Sequence, residues 1–300
     1  MTIEQLTAFI AVAEREHLTR AAAALGLTPS AVSASIKTLE AFYNVQLFHR
    51  VGRGIELTRD GRIFLKEAKE TVARVKSAEA ALSELGGLRR GRLDIHASQT
   101  IANYWLPSRL LTFSSRYPGI EVHLTTGNTS TVSAAVLGGA AELGFIEGVI
   151  DQPALSAYAI TVDKLVIVAA AGEMGAIEET ASLASLLRRR WIMREAGSGT
   201  RDVLERALQQ LSVEPQKLDV ALVLPSNEAV LTAVRSGDCI TGLSQSGVAP
   251  FVENGQLRVL DVELPTRQFT VLRHKERHLS AAAREFMAFC RAEGEAHRSS

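Results

Sequence analysis

Three short segments rich in serine, threonine and glycine each lie between a strand pattern and a helix pattern: Ala97–Thr100, Gly127–Ser130 and Gly197–Arg201. Each offers hydroxyl groups beside the free backbone N–H groups of a helix N-terminus, which suit a small oxyanion or carboxylate. Each is equally well explained as a set of N-caps that satisfy only their own helix. The candidate ligand contacts in these segments are Ser98, Gln99, Thr100, Asn128, Thr129, Ser198, Gly199, Thr200 and Arg201.

Two further residues are candidates for the same site. Glu147 ends another predicted strand and would repel an anion, unless it contacts a cationic part of the ligand, Arg194 or Arg201. Its simpler role is a salt bridge at the rim. Ser226, ahead of a later helix, is a fourth candidate contact. The glycine-rich segment lacks the G-x-x-x-x-G-K-[ST] spacing, so the sequence does not indicate a nucleotide-binding loop.

A different chemistry is indicated near the N-terminus, on a helix that opens with Thr28 as N-cap and Pro29 as the first helical residue. One face of this helix is apolar. The other face carries small and polar residues, which allow close approach to DNA bases and hydrogen bonding to them. The apolar residues are Val32, Ile36 and Leu39, and the polar-face residues are Ser30, Ser33, Ala34 and Lys37. A serine-rich helix face that is merely solvated would look the same.

The elements around that helix predict a winged helix-turn-helix. A first helix begins after Thr2, with Gln5 in capping-box position, and a second is predicted to use Thr19 as N-cap and to stop at Gly26. A two-stranded wing follows Phe48. From about Asp60 to Leu85, apolar residues recur at steps of three and four, which is typical of a helix that pairs with a partner chain. Residues 86–91 are glycine-rich and mark a boundary.

Beyond Arg92, strand patterns alternate with amphipathic helices, which predicts parallel βαβ units. The roughly 210 residues involved are enough for two lobes. The predicted strands read LDIHA, IEVHLTT, ELGFI, KLVIVAA, RWIMR, DVALVL, CITGLS and FTVLR.

The composition limits the kinds of protein that this chain can be. The chain balances 33 basic against 33 acidic residues, so evidence for nucleic-acid binding must come from local pattern. No secretory signal or membrane-length apolar run is visible, so we expect a cytoplasmic protein. Cys239 and Cys290 lie far apart, and His274 and His278 lie in a highly charged segment, so we expect no disulfide, metal or other cofactor. No set of catalytic groups stands out.

The N-terminal segment resembles the DNA-binding domain of LysR-type transcriptional regulators. The matching residues are Leu6, Phe9, Val12, Thr19, Ala21, Ala22, Ala31–Ser33, Ile36, Leu39, Glu40, Leu47, Phe48, Arg50, Leu57, Thr58 and Gly61. Two departures matter: Pro29–Ser30 stands where the family often has Gln-Pro or Gln-Ser, so the operator preference does not carry over. Asn44 stands in place of a glycine, which asparagine replaces well in left-handed backbone.

The resemblance implies a multidomain fold: a winged helix-turn-helix domain (1–59), a linker dimerisation helix (60–88) and a two-lobed α/β effector domain similar to type II periplasmic binding proteins (89–300). Lobe I spans about 92–161 and 268–297, and lobe II about 162–267, with crossings near 159–163 and 265–269. It further implies that Thr28, Ser30, Ser33, Ala34 and Lys37 face double-stranded DNA and that Arg50 and Arg53 lie near phosphates.

In function, the resemblance implies a homodimeric or homotetrameric regulator, with activation of an adjacent gene the commoner mode in the family and repression left open. A small anionic ligand would bind between the lobes, and the segments around residues 194–201 and 225–244 look most like branches of the family linked to sulfur or carbon-fixation metabolism. Two rival interpretations are a metabolic enzyme of the prephenate dehydratase-like kind and a solute-binding protein. The first leaves the N-terminal sixty residues unexplained, and the missing signal peptide speaks against the second.

Overall fold

The computed structural model describes residues 1–52, 54–85, 91–172, 186 and 189–298. The chain divides into two compact units. Residues 1–82 form the N-terminal unit, and residues 83–137 together with 141–300 form the C-terminal unit.

Three short helices open the N-terminal unit: α1 (Ile3–Arg15), α2 (Leu18–Leu25) and α3 (Pro29–Tyr43). The capping box of Thr2 and Gln5 and the N-cap of Thr28 are confirmed. Asn44 ends α3 in left-handed backbone, at a φ of 53°, as predicted. The predicted start of α2 is wrong, because the N-cap is His17. Its imidazole Nδ1 accepts the N–H of Arg20, so the helix begins one residue before Thr19.

The wing is a two-stranded antiparallel hairpin of β1 (Phe48–Val51) and β2 (Gly54–Leu57). Phe9 contacts Phe48 with ring centroids 5.3 Å apart, which joins the wing to the core of the helices. The carboxylate of Glu40 accepts the backbone N–H groups of Leu47 and Phe48 at 2.8 and 3.2 Å. The C-terminal half of α3 therefore fixes where the wing begins.

The long helix α4 (Arg59–Leu85) has the predicted length, but the apolar stripe of its first half is used within its own chain. Four of its residues pack on the core of the three short helices: Phe64, Leu65, Ala68 and Val72. An ion pair of 2.7 Å between Lys69 and Glu14 reinforces this packing. Leu82, near the far end, is 69% exposed. Leu82, the last residue of the predicted seam, is thus accessible to a partner.

The C-terminal unit contains all eight predicted strands and a short additional one, β10. The strands are β3 (Gly91–Ser98), β4 (Ile120–Gly127), β5 (Leu143–Glu147), β6 (Leu155–Ala170), β7 (Arg190–Arg194), β8 (Asp219–Leu224), β9 (Cys239–Ser244), β10 (Leu257–Val259) and β11 (Thr266–His274). β3 runs parallel to β4 and β5, and β7 runs parallel to β8 and β9. β6 and β11 pair antiparallel with each other and with their other neighbours. The predicted parallel arrangement is therefore confirmed for β3–β5 and for β7–β9. It is wrong for β6 and β11, which pair antiparallel.

The strands divide into two lobes, which β6 and β11 join. The first lobe holds β3–β5 and the second holds β7–β10. The helices are α5 (Leu106–Arg116), α6 (Thr129–Leu137) and α10 (Ala281–Arg298) in the first lobe, and α7 (Gly199–Gln210), α8 (Asn227–Arg235) and α9 (Gln245–Glu253) in the second. A π-helical turn, Ile101–Trp105, precedes α5. Each lobe has its own core, built around Phe113, Phe145 and Phe286 in the first and around Trp191, Leu204 and Leu208 in the second.

Cys239 and Cys290 are both buried. No helix within the described ranges is both long and apolar enough to traverse a bilayer.

Candidate functional site

Helix α3 presents its polar face to solvent. Val32, Ile36 and Leu39 are buried, as the sequence predicts. On the other side, Ser30, Ala34 and Lys37 are exposed and Ser33 is half-buried. An α-helix with one free face of small and hydrogen-bonding residues fits the width of the major groove. The structure therefore leaves the predicted recognition face accessible.

The remaining DNA-contact candidates flank α3. The hydroxyl of Thr28 accepts the N–H of Ala31 and shares a 3.0 Å hydrogen bond with Ser30 Oγ, so part of its capacity is used in capping. Arg50 is exposed on β1, opposite Ile55 of β2. Arg53 lies outside the described residues.

In the C-terminal unit, the strand-to-helix segments singled out from the sequence meet across the boundary of the two lobes. The side chain of Gln99 donates to Pro225 O and accepts from Asn227 N, each at 2.9 Å. Asn128 Nδ2 donates to Glu195 at 3.1 Å, and Ser130 N donates to Gly197 O at 3.2 Å. Segments about 70–130 residues apart in sequence thus meet along the boundary between the lobes, which is called the interlobe cleft below.

The floor of this cleft is a buried ion pair that sequence reasoning missed. Arg267, on β11, is 4% exposed and lies 2.7 Å from Asp163 on β6. The same guanidinium donates to Thr200 Oγ1 at 3.0 Å and to Thr100 Oγ1 at 3.5 Å. Ser244 donates to the other carboxylate oxygen at 2.7 Å. Arg267 and Asp163 both fall in the predicted crossing segments, which is the signal that could have found them.

A second network connects the second lobe to Thr100. Arg194 is ion-paired with Glu195 at 2.7 Å and donates to Asn227 Oδ1, and Asn227 Nδ2 donates to Thr100 Oγ1 at 3.2 Å. Burial raises the pKa of Glu195, but hydrogen bonds from Arg194 and Asn128 and the charge of Arg194 outweigh it, so the net pKa lies below its ordinary value. The carboxylate therefore stays ionised beside Arg194.

Three of the predicted ligand contacts are already used in helix capping or in an ion pair. Ser198 and Ser226 accept the N–H groups of Arg201 and Ala229 and serve as N-caps of α7 and α8. The guanidinium of Arg201 bonds to Glu205 at 2.7 Å and to a backbone carbonyl at 3.1 Å. For these three residues, the capping and structural interpretation accounts for the hydrogen bonds observed.

Gly199 marks the closest approach of the lobes. A Cβ added there would lie 2.4 Å from Thr129 Oγ1 and 2.8 Å from Glu147 O, both in the first lobe. A Cβ carbon essentially never approaches other atoms so closely, so a side chain at position 199 would force the lobes to shift. Glu147 itself is 3% exposed, so it does not form the predicted rim salt bridge.

The π-helical turn adds a further interlobe contact that the sequence did not indicate. Asn103 Nδ2 and Tyr104 OH both donate to Glu228 of α8, at 2.7 and 3.5 Å. Burial, with the charge and hydrogen bond of Glu228, raises the pKa of Tyr104 to about 12. The ring of Tyr104 lies against Gly247 of α9. π-Helical turns often occur at functional sites, and this one ties the first lobe to two helices of the second.

Two family models match the chain. The model described as "Bacterial regulatory helix-turn-helix protein, lysR family" matches residues 3–62. The model described as "LysR substrate binding domain" matches residues 86–295. Together they span the elements that carry α3 and the cleft.

Curated relatives match over nearly the whole length. YeiE of Escherichia coli, an HTH-type transcriptional regulator, is 35% identical over 292 residues, covering 97% of both chains. A RuBisCO operon transcriptional regulator of Allochromatium vinosum is 31% identical over 291 residues, covering 96% of this chain and 95% of that one. The second likeness agrees with the carbon-fixation branch suggested by the sequence.

Solved structures share the fold. Full-length CbnR, crystallised with its target DNA, superposes with a TM-score of 0.69 at 22% identity, covering 97% of this chain and 99% of that one. The regulatory domain of Synechocystis CcmR, in complex with 2-PG, superposes with a TM-score of 0.62 at 27% identity, covering 69% of this chain and 98% of that one.

Proposed function

Because the chain belongs to the LysR family of bacterial transcriptional regulators, we propose that it binds promoter DNA through α3 and the wing, under the control of a small anionic ligand held in the interlobe cleft. Family membership makes the chain a transcriptional regulator and not an enzyme. We propose which residues contact DNA, which class of ligand binds, and whether the regulator activates or represses its target gene.

The exposed polar face of α3 carries the proposal for DNA. Ser30, Ser33 and Lys37 offer hydroxyls and an ammonium to base edges, and the small side chain of Ala34 lets the helix approach closely. Arg50, with Arg53 beside it in sequence, supplies positive charge for phosphates. Such contacts position the domain and make its affinity depend on salt concentration.

The convergence of helix N-termini carries the proposal for the ligand. α6, α7 and the π-helical turn all begin at the cleft, where the positive ends of their helix dipoles favour an anionic group. The likeness to the CcmR regulatory domain, which was solved with 2-PG, supports a ligand in this part of the fold.

Control of DNA binding requires a ligand with different affinities for two arrangements of the protein. We propose that ligand changes the interlobe contacts made by Gln99, Asn103 and Tyr104, and thereby how effector domains of a dimer or tetramer pack. The exposed second half of α4 is the proposed pairing surface between chains. Activation of an adjacent gene is the proposed outcome.

A mobility-shift assay with the promoter of the neighbouring operon tests the DNA part of the proposal. Replacing Ala34 by glutamate puts a carboxylate on the proposed recognition face, and we expect at least a roughly 10-fold loss of affinity. Ala134→Glu is the matched control, because Ala134 is an exposed helical alanine in the C-terminal unit. Equal affinity of the Ala34→Glu variant and the native protein would contradict the assignment of α3.

The ligand part is tested in the same assay by adding sulfate, phosphate or 2-PG. We expect at least one anion to change the affinity or the footprint and to raise the thermal midpoint of the protein. Unchanged DNA binding and an unchanged midpoint with every anion would contradict anion control while leaving DNA binding intact.

A further inference from the structure

Glu147 is a largely buried residue whose carboxylate has no ion pair among the described residues. It ends β5, a strand in which every residue is buried, and its own exposure is 3%. Among the described residues, no side-chain hydrogen bond or ion pair involves its carboxylate, and its oxygens are not among the fully buried polar atoms that lack a partner, so they keep some contact with solvent. A buried charge is costly unless it is paired, so this carboxylate is poised to accept a partner.

Two hydroxyls close to Glu147 are also unpartnered. Ser98 Oγ and Thr129 Oγ1 are buried and form no hydrogen bond with any described residue. Ser98 ends β3, which pairs with β5, and Thr129 begins α6. Thr129 Oγ1 and Glu147 Oε2 both border Gly199, since a Cβ added there would lie 2.4 and 3.2 Å from them. Thr129 and Glu147 therefore meet at the N-terminus of α7, and Ser98 ends the strand that pairs with β5.

Three arginines around the cleft are already paired with carboxylates, and a fourth, Arg206, lies near Gly148 without an ion pair to Glu147 among the described residues. Arg267 lies 2.7 Å from Asp163, Arg194 lies 2.7 Å from Glu195, and Arg201 lies 2.7 Å from Glu205. An anion in the cleft would be held by helix N-termini and hydroxyls and not by a free guanidinium. A ligand that is only an anion would leave Glu147 unpaired and place a second negative charge beside it.

We propose that the ligand is a small zwitterion, an acid that also carries a protonated amine. The ammonium donates to the Glu147 carboxylate and to Thr129 Oγ1. The acidic group accepts from Ser98 Oγ and from N–H groups at the starts of α6 and α7, which requires the contact of Gly199 with Thr129 and Glu147 to open by the width of the ligand. This inference rests on the proposed function, and it specifies the ligand class as amino carboxylates or amino sulfonates.

The test uses matched pairs of compounds that differ in one group. Glycine and glycolate, alanine and lactate, and taurine and isethionate share an acidic group and differ in having an ammonium or a hydroxyl. Binding to the full-length protein is measured by isothermal titration calorimetry and thermal shift. We expect the ammonium member of at least one pair to bind at least 10-fold more tightly than its hydroxyl analogue.

Glu147→Gln is the matching variant, since it keeps the shape and removes the charge. We expect it to abolish the preference for the ammonium compound while the thermal midpoint of the free protein stays equal or rises. Glu121→Gln, at a carboxylate exposed on β4, is the control and should keep the native preference.

The outcomes separate the two proposals. Equal binding of ammonium and hydroxyl compounds, unaffected by Glu147→Gln, overturns the zwitterion inference and leaves anion control standing. Binding of none of the six compounds also overturns it, and the separate assay with sulfate, phosphate and 2-PG then decides whether anion control fails as well. If the native protein without ligand does not bind the promoter, that result counts against the DNA part of the proposed function and not against the zwitterion inference.

Discussion

Helix α3 and the interlobe cleft use the same kinds of side chain in opposite ways. On α3, the hydroxyls and the ammonium lie on one stretch of eight residues and point to solvent. In the cleft, Thr100, Thr200 and Arg267 are buried and bond to one another across 67 to 167 residues of sequence. A polar group that faces water contributes little to folding, whereas a buried one must be paired. The DNA face should therefore tolerate substitution without loss of stability, and the cleft should not.

The largest effect is expected at the cleft floor. Arg267→Ala leaves Asp163 buried without its cation, so we expect the free energy of unfolding to fall by about 3–5 kcal/mol. Both tryptophans, Trp105 and Trp191, lie in the C-terminal unit, so urea denaturation followed by their fluorescence reports on that unit alone.

The double variant Asp163→Leu with Arg267→Met is the control, because it removes both charges together. We expect it to recover most of the lost stability. A loss below about 1 kcal/mol for Arg267→Ala alone would show that the pair is accessible to water and would weaken the contrast with α3.

The next largest loss of stability is expected from a substitution at Gly199, where the two lobes are in contact. The methyl group of Gly199→Ala would meet Thr129 and Glu147, so we expect about 1–3 kcal/mol of destabilisation and a smaller ligand-induced thermal shift. Gly237→Ala is the matched control, because a Cβ at Gly237 has no atom within 4 Å. Similar stability of the two variants would mean that the lobes separate without cost.

On the DNA side, Lys37→Ala should weaken promoter binding by about 1–3 kcal/mol while the thermal midpoint stays within error. Fluorescence anisotropy with labelled promoter DNA measures the first quantity and calorimetry the second. A marked drop in the midpoint would contradict the independence of the recognition face from folding.

The smallest effect is expected at Glu195 and depends on pH. The folded-state pKa of this group is lowered, so its contribution to stability is present at neutral pH and is lost as the pH falls through that value. Because the side chain is partly exposed, Glu195→Gln should cost less than about 1 kcal/mol at pH 7. The cost should vanish at a pH below the folded-state pKa, and urea denaturation at pH 7 and at that acidic pH measures it. A larger loss of unfolding free energy in acid than at pH 7 would contradict this assignment.

Prediction from sequence worked best where the information is local. The helices, the cap of α3 by Thr28, the left-handed Asn44 and the buried positions Val32 and Ile36 follow from patterns within a few residues. The start of α2 was predicted wrongly, because histidine is a less usual N-cap than threonine and the chain uses His17.

The cleft was predicted only as a set of separate turns. That Gln99 bonds to Asn227, and that Arg267 lies between Thr100 and Thr200, depends on how β6 and β11 join the lobes. No pattern along the chain encodes a contact between residues so far apart, so Arg267 and Asp163 were missed.

By itself, the sequence determined the order of the elements, the amphipathic face of α3 and the polar turns that begin the effector-domain helices, because these depend on propensity and periodicity along the chain. Only the tertiary structure decided which polar groups are paired. Arg267 acquired its carboxylate partner Asp163 from another strand, and Glu147 was left largely buried without an ion pair among the described residues. The physical reason is that burial and pairing are properties of three-dimensional neighbours, which the crossing strands bring together.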